Sequence, residues 1–150
     1  MNIVLVEPEI PPNTGNIARL CAATGTTLHL VGPLGFRLTD SRVRRAGLDY
    51  WDRVNIRRHA SVSCFFESVP ETSVFLFSRY GTVSYTEARF EDSSYLVFGS
   101  ETRGLPKEVT EKYAGRIWTI PMFHPAVRSL NLSNAVAVVC YEALRQLGRV

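Results

Sequence analysis

The chain has 150 residues, of which 45% are apolar and 21% are charged. This length suits one domain, and the composition is that of a globular protein, which argues against disorder, collagen-like repeats and a disulfide scaffold. No apolar run approaches the ~20 residues of a membrane-spanning helix, and the first one stops at Glu7 without signal-peptide features. Three cysteines without a metal-binding spacing favour a reducing compartment. We expect one cytoplasmic domain over residues 1–150, with no membrane partner.

The basic residues are unevenly distributed along the chain. Fifteen of the seventeen are arginine, and residues 36–59 hold seven arginines against three aspartates, a local net charge of +4. Arginine is preferred where planar donors meet phosphate. A solvated basic helical face and a phosphate-contacting patch both explain the cluster, and charge alone does not decide between them.

Short apolar segments alternate with helical patterns along the chain. We predict strands at residues 2–6, 28–31, 74–77, 95–98 and 117–120. We predict helices at residues 16–24, 41–46, 61–68, 106–112 and 132–147. This alternation indicates an α/β layered domain with a parallel sheet.

Two of the predicted helices carry further information. In the first, Ile17, Leu20 and Cys21 fall within one arc at 100° per residue, so Arg19 points away from the core. In the last, residues 135–141 are apolar at seven consecutive positions. Such a helix either lies deep in the core or covers a partner subunit. We favour a homodimer that uses this helix.

Several common functional signatures are absent from the sequence. It contains no G-x-G-x-x-G after the first strand, no Walker sequence, no H-E-x-x-H, no C-x-x-C and no G-x-S-x-G. The three histidines His29, His59 and His124 form neither a metal-binding pattern nor a catalytic triad. Because His29 falls in a predicted strand, we expect it to be a packed residue, and we expect no metal.

Polar residues and glycines are concentrated in three blocks, each after a predicted strand. In the first, residues 7–19, Asn13 or Thr14 can cap the following helix, but capping does not explain Arg19. The second, residues 98–106, has Gly99 and Gly104 where backbone amides can approach a ligand at a strand end.

The third block, residues 120–136, gathers small hydrogen-bonding side chains where the last helix begins. One such side chain is enough for a helix cap, so the others form either an elaborate cap or a site. The residues concerned are Ser129, Asn131, Ser133 and Asn134.

Together the blocks read N-x-x-N-x-x-R, F-G-x-E-x-x-G-L-P and I-P-M…R-S-L-N-L-S-N-A-V, within residues 13–138. In order and spacing they resemble the three signature motifs of the SpoU-type RNA ribose 2′-O-methyltransferases of the SPOUT superfamily. The opening N-I-V-L-V-E-P-E-I-P-P-N-T-G-N and the R-R-A-G-L-D-Y at residues 44–50 are similar to the small tRNA wobble-nucleotide methyltransferases. The first predicted strand begins close to Met1, with no RNA-binding domain before it, and this too is similar to those small methyltransferases.

The resemblance implies an α/β fold with a C-terminal deep trefoil knot, S-adenosylmethionine as methyl donor without a metal, a homodimer that helps to form the active site, and tRNA rather than DNA as partner. It implies the catalytic residues Asn13, Arg19, Glu101, Ser129 and Asn131. It implies cofactor contacts from Phe77, Ser78, Gly99, Gly104, Ile120, Met122, Ser129, Leu130 and Asn134. We expect RNA contacts from Arg19, Arg42, Arg44, Arg45 and Arg128.

In this family the arginine at position 19 is usually regarded as the group that activates the ribose hydroxyl. A free guanidinium has a pKa of about 12.5 or more, so a neutral guanidine at pH 7 costs on the order of 8 kcal/mol. We therefore expect Arg19 to act as a cation that holds phosphate and stabilises developing alkoxide. We expect Asn13, Ser129 and Asn131 to be hydrogen-bonding supports and Glu101 to orient a loop or the arginine.

Two alternatives remain open from the sequence. One is a ribosomal-RNA ribose methyltransferase of the same superfamily, although such relatives commonly carry an additional N-terminal RNA-binding domain. The other is a non-catalytic RNA-binding protein that has kept the knot. The intact motif residues argue against this loss of catalysis.

Overall fold

The computed structural model describes residues 1–39, 41, 45 and 48–150. Its centre is a parallel sheet in the order β3-β2-β1-β6-β4-β7-β5. The strands are β1 (Asn2–Val6), β2 (Thr27–Val31), β3 (Ile56–His59), β4 (Val74–Phe77), β5 (Val83–Ser84), β6 (Tyr95–Phe98) and β7 (Ile117–Thr119). All five strands predicted from the sequence are present, with bounds that differ by at most one residue.

Helices cover both faces of the sheet. They are α1 (Pro11–Thr24), α2 (Val62–Glu67), α3 (Lys107–Lys112) and α4 (Leu132–Gln146). Along β1, Ile3 and Leu5 pack with α1 and α4, whereas Val4 and Val6 pack with α2 and α3, so alternate side chains enter separate apolar clusters. Within the described residues, three 3₁₀ turns connect the elements, at Leu48–Arg53, Glu71–Ser73 and Tyr85–Glu87. No helix in the described ranges is both long enough and apolar enough to cross a membrane.

The first helix begins five residues earlier than predicted. Pro11 and Pro12 occupy its first two positions. Backbone N–H groups at these positions make no intrahelical hydrogen bond, so the absence of an N–H in proline costs nothing there. Ile10 is the N-cap residue and makes no side-chain capping bond. The prediction that Asn13 or Thr14 caps this helix is therefore wrong, and both residues lie inside it.

Part of the basic segment forms a strand. Strand β3 lies at the edge of the sheet and carries Arg57 and Arg58, both exposed. It escaped prediction because these charges break its apolar pattern, as is common in edge strands. The predicted helix at residues 41–46 lies largely outside the described residues.

The apolar helix α4 buries only one of its faces in this chain. Val136, Val139 and Cys140 are fully buried against the sheet and α1. On the other side, Val138 is 36% exposed and Tyr141 is 49% exposed. The sequence pattern therefore reflects two faces, one of which belongs to the core and one of which stays accessible.

His29 is a packed strand residue, as the sequence predicts. Its ring is 2% exposed and stacks on His59, with Nδ1 2.9 Å from His59 Nε2. Its Nε2 lies 3.2 Å from Asn2 Oδ1, an acceptor, because the Asn2 amide nitrogen donates to the Ser94 carbonyl. The neutral ring satisfies both contacts, donating from Nε2 and accepting at Nδ1. Burial, and next the charges of His59 and Arg57, lower the pKa of His29 to about 4.

This burial predicts a pH-dependent free energy of unfolding. Because His29 has a pKa of about 4 in the fold and 6.5 as a free group, the unfolded chain binds more protons between these values. Stability should fall as pH drops through this window, by up to about 3 kcal/mol at 1.4 kcal/mol per pH unit. Urea denaturation from pH 7.5 to 4.5 measures it.

The His29→Gln variant should lose this part of the slope, whereas a variant at the exposed His124, His124→Gln, should keep it. Equal slopes in the wild type and His29→Gln would contradict the assignment to His29.

Candidate active site

Four neighbouring strands deliver their carboxyl ends to one cavity. In the sheet, β1, β6, β4 and β7 are consecutive, and because all are parallel, the segments that follow them emerge at the same edge. The cavity there has a volume of about 640 Å³, within the ~300–1,000 Å³ typical of small-molecule sites. It is lined by residues 10, 13, 77–81, 98–105, 119–122, 128–132 and 135.

The 99–104 loop closes on itself at this edge. Ser100 N–H donates to the Gly104 carbonyl at 3.1 Å, and Gly104 N–H donates back to the Ser100 carbonyl at 2.9 Å. A Cβ at Gly99 would lie 2.1 Å from the Gly104 carbonyl carbon. Gly104 has open space around it, but its φ of +71° is a conformation that side chains disfavour. The two glycines are thus required for different reasons. A side chain at Gly99 would clash with the backbone, and a side chain at Gly104 would disfavour its positive φ.

The Glu101 carboxylate receives three N–H donors from the segment after β1. Its Oε1 accepts from Asn13 Nδ2 at 3.0 Å and from Ile10 N–H at 3.1 Å. Its Oε2 accepts from Glu9 N–H at 2.8 Å. Two of these donors are backbone groups at the start of α1, where a negative charge is favourable. Glu101 therefore fixes the 99–104 loop to the first turn of α1.

Asn131 extends this connection to the third block. Its Nδ2 donates to Asn13 Oδ1 at 3.0 Å, while its Oδ1 accepts from Ser133 N–H at 2.9 Å and from the Ser133 hydroxyl at 2.7 Å. Asn131 is therefore both the N-cap of α4 and a partner of Asn13. The chain of bonds Glu101–Asn13–Asn131 joins all three sequence blocks. We refer to it as the motif network.

Most of the predicted site residues meet in the cavity. Of the catalytic predictions, Asn13, Glu101, Ser129 and Asn131 line it, and Arg19 does not. Of the predicted cofactor contacts, all but one line it: Phe77, Ser78, Gly99, Gly104, Ile120, Met122, Ser129 and Leu130. The exception is Asn134, which is exposed in the first turn of α4.

The structure locates three of the five predicted RNA-contacting arginines. Arg128 lines the cavity, and Arg45 is exposed. Arg19 projects from α1 into solvent, as its position on the helix predicts, with its guanidinium 5.3 Å from the centre of the Tyr50 ring. Arg42 and Arg44 lie outside the described residues.

Further charged and aromatic groups at the cavity were not predicted. Arg79 and Arg103 line it, and with Arg128 they bring three exposed guanidinium groups to one opening. The Tyr80 ring is 74% exposed, with the Arg79 guanidinium 4.6 Å from its centre. Arg79 and Arg128, together with the exposed Tyr80 ring, suit an anionic ligand that carries flat rings, whereas Arg103 is already paired with Glu7 and Glu9. Their only signal in the sequence is their position directly after a predicted strand end.

Among the described residues, no group of three histidine, cysteine, aspartate or glutamate side chains is arranged to hold a metal ion. The polar side chains that line the cavity are amides, hydroxyls, guanidinium groups and the Glu101 carboxylate.

Comparison with known proteins identifies the family. Residues 1–141 match the model of the SpoU rRNA Methylase family. The chain belongs to this family. The tRNA (cytidine(34)-2′-O)-methyltransferase of Escherichia coli (strain K12) is 50% identical over 149 residues, which cover 99% of this chain and 94% of that protein.

Solved structures share the same fold. One, described as structural insights into the 2-OH methylation of C/U34 on tRNA, superimposes with a TM-score of 0.93 at 51% identity and covers 98% of this chain and 95% of its own. An AdoMet-bound rRNA methyltransferase from Sinorhizobium meliloti gives a TM-score of 0.86 at 27% identity, covering 97% of this chain but 56% of its own.

The geometry of the 99–104 loop predicts unequal effects of two alanine substitutions. Gly99→Ala forces a backbone contact that no rotamer relieves, so the free energy of unfolding should fall by about 3 kcal/mol or more. Gly104→Ala adds no contact and should cost about 1–2 kcal/mol through its positive φ. Urea denaturation of both variants measures the difference. A Gly99→Ala protein as stable as Gly104→Ala would refute this account of the loop.

Proposed function

We propose that this protein is an S-adenosylmethionine-dependent tRNA 2′-O-methyltransferase that modifies the ribose of the wobble nucleotide, position 34. The observation that carries the proposal is the motif network, because it brings residues from all three family motifs together at one ligand-sized cavity. The 50% identity with the Escherichia coli enzyme over nearly the full length of both chains supports the tRNA target. We infer that residues 1–150 act as one domain in the cytoplasm, where tRNA is modified.

The cavity fits the methyl donor. Apolar walls from Phe77, Phe98 and Leu132 suit an adenine ring, and the self-closing 99–104 loop brings backbone groups close to a bound ligand. S-adenosylmethionine supplies a methyl group on a positively charged sulfur. The AdoMet-bound relative from Sinorhizobium meliloti supports this cofactor. No metal enters the proposed reaction.

The residues of this chain act by positioning the ribose hydroxyl and by managing its charge. Asn13 and Asn131 are held by each other, Asn13 also by Glu101 and Asn131 also by Ser133, so their amides are fixed before the substrate binds. Ser129 lines the cavity beside them. In the transfer the ribose oxygen would gain the methyl group as the bond from that group to sulfur breaks, and the hydroxyl proton would pass to solvent water. A guanidinium would stabilise the negative charge that develops on the oxygen while it holds a neighbouring phosphate. We assign this last role to Arg19.

Arg19 does not line the cavity of its own protomer, so the role that we assign to it calls for a second copy of the chain. Its guanidinium lies against Tyr50 and not in the cavity of its own protomer. We propose a homodimer in which the exposed side of α4, with Val138 and Tyr141, lies in the interface. In that dimer Arg19 of one protomer would serve the cavity of the other, in keeping with the implication of the family resemblance that the dimer helps to form the active site.

We also propose the C-terminal trefoil knot for this chain. Helix α4 follows the 120–131 segment, and both border the cavity that is bounded by the 78–81 and 99–104 loops. A C-terminal segment threaded beneath those loops would hold the cavity walls in fixed positions without a disulfide. The similarity to SpoU methyltransferase structures supports this topology.

A methyl-transfer assay tests the function. Labelled S-adenosylmethionine is incubated with total tRNA that lacks modification at the wobble ribose, and the labelled nucleotide is mapped. We expect label on the 2′-hydroxyl of the first anticodon nucleotide. Label at another tRNA nucleotide, or only on ribosomal RNA, would keep the reaction and reject the target. Absence of both label and cofactor binding would favour a non-catalytic RNA-binding protein.

Arg19→Lys should separate RNA binding from catalysis. Lysine keeps the positive charge but lacks the planar fork that contacts phosphate and hydroxyl together. We expect the dissociation constant for tRNA to change by less than about threefold and turnover to fall by about 100-fold or more. Single-turnover kinetics and a filter-binding titration measure the two effects.

The matched control is Arg89→Lys, a substitution at another exposed arginine, which should leave both quantities unchanged. Near-normal turnover in Arg19→Lys would show that the geometry of the guanidinium is not needed.

A further inference from the structure

A second set of bonds joins the segment after β1 to the 99–104 loop, and it runs in the direction opposite to that of Glu101. The Glu9 carboxylate accepts from Thr102 N–H at 3.1 Å and from the Thr102 hydroxyl at 2.6 Å, both at Oε2. Its Oε1 accepts from Arg103 Nε at 3.1 Å. Glu9 N–H in turn donates to Glu101. Each segment thus contributes a carboxylate that binds the backbone of the other, and we call this arrangement the reciprocal clamp.

Arg103 has a further acidic partner in the same segment. Its Nη2 lies 3.3 Å from Glu7 Oε2. Glu7 has a φ of +49°, a left-handed conformation that is uncommon for a residue with a side chain. The chain therefore turns sharply after β1, and both Glu7 and Glu9 reach Arg103 from that turn.

The chemistry of the clamp favours an ionised Glu9. The pKa of Glu9 lies below its usual value. The largest cause is the hydrogen bond from the Thr102 hydroxyl, and the Thr102 N–H and the Arg103 guanidinium add to it. The carboxylate is only 24% exposed, although the Arg103 side chain opposite is 65% exposed. Hydrogen bonds to a charged acceptor are stronger than those between neutral groups.

We propose that Glu9 is a positioning residue that holds the Thr102–Arg103 half of the 99–104 loop in its cofactor-binding conformation. It does not itself line the cavity, whereas Thr102 and Arg103 do. The proposal rests on the proposed function for its ligand, S-adenosylmethionine. Glu101 fixes one residue of the loop, and Glu9 fixes the two that follow it.

Removal of the carboxylate leaves specific groups without partners. In Glu9→Ala, both Thr102 donors and Arg103 Nε lose their acceptor, although Arg103 retains Glu7. In Glu9→Gln, the amide oxygen can still serve Thr102, but the amide nitrogen then faces the Arg103 guanidinium, donor against donor. The two variants should therefore form a graded series.

The test measures cofactor affinity and loop opening in the same proteins. We expect the dissociation constant for S-adenosylmethionine, measured by calorimetry, to rise about tenfold in Glu9→Ala and about threefold in Glu9→Gln. We expect hydrogen exchange at the Thr102 amide to speed up about tenfold or more in cofactor-free Glu9→Ala. The control Glu111→Ala removes an exposed carboxylate that pairs with Lys107 elsewhere, and should change neither quantity.

A double-mutant cycle separates positioning from general loss of structure. If Glu9 acts through Thr102, Glu9→Ala should weaken cofactor binding less in a Thr102→Val background than in the wild type. Additive effects, or a Glu9→Ala dissociation constant within twofold of the wild-type value, would overturn the proposal. If Glu9→Ala fails to fold, the same cycle with Glu9→Gln decides it.

The proposed function and this role can fail separately. If the wild-type chain binds S-adenosylmethionine but methylates no tRNA, the proposed function is rejected. The double-mutant cycle, which measures cofactor affinity, would still test the role of Glu9. A wild-type chain that binds no S-adenosylmethionine would overturn both.

Discussion

The relative position of the three motif segments depends on the Glu101 carboxylate, which bonds the first segment from the second. Glu101 accepts three N–H groups from the start of α1, one of them from the Asn13 side chain. That bond sets the direction of the Asn13 amide and leaves its oxygen for Asn131, which caps α4. Because an amide donates from nitrogen and accepts at oxygen, Glu101 at one end of the network and Ser133 N–H at the other orient the two asparagine amides in the same direction. The carboxylate thus sets the hydrogen-bond direction at one end of a network that spans three segments.

The sheet makes this convergence possible. Parallel strands send their carboxyl ends to one edge, and here four strands in a row do so. The order in the sheet differs from the order in the chain, so segments distant in sequence become neighbours. The close backbone approach at Gly99 then allows the loop after β6 to fold back on itself without filling the cavity.

The sequence predicts the regular, apolar part of the fold well and the polar contacts poorly. Strands such as β4 and β6 were predicted with their full bounds because buried parallel strands are continuous apolar runs. Edge strand β3 was missed because its arginines resemble a solvent-facing pattern. The motifs identified Asn13, Glu101 and Asn131, but the capping interpretation of Asn13 was wrong because its partners lie 88 and 118 residues away. Glu9 went unnoticed for the same reason, since no local pattern reveals a bond to Thr102.

The position of β1 has a consequence for biosynthesis. This strand is made before the other strands of the sheet, yet it lies in the interior, with β2 on one side and β6 on the other. Strand β2 follows within about thirty residues, whereas β6 is not complete until residue 98. Until β6 has been made, β1 therefore leaves the backbone N–H and C=O groups along one edge unpaired, on a strand in which residues 3–6 are all apolar. Such an edge can pair with other nascent chains. The interval before β6 pairs with β1 is therefore when this fold is most vulnerable to aggregation on the ribosome.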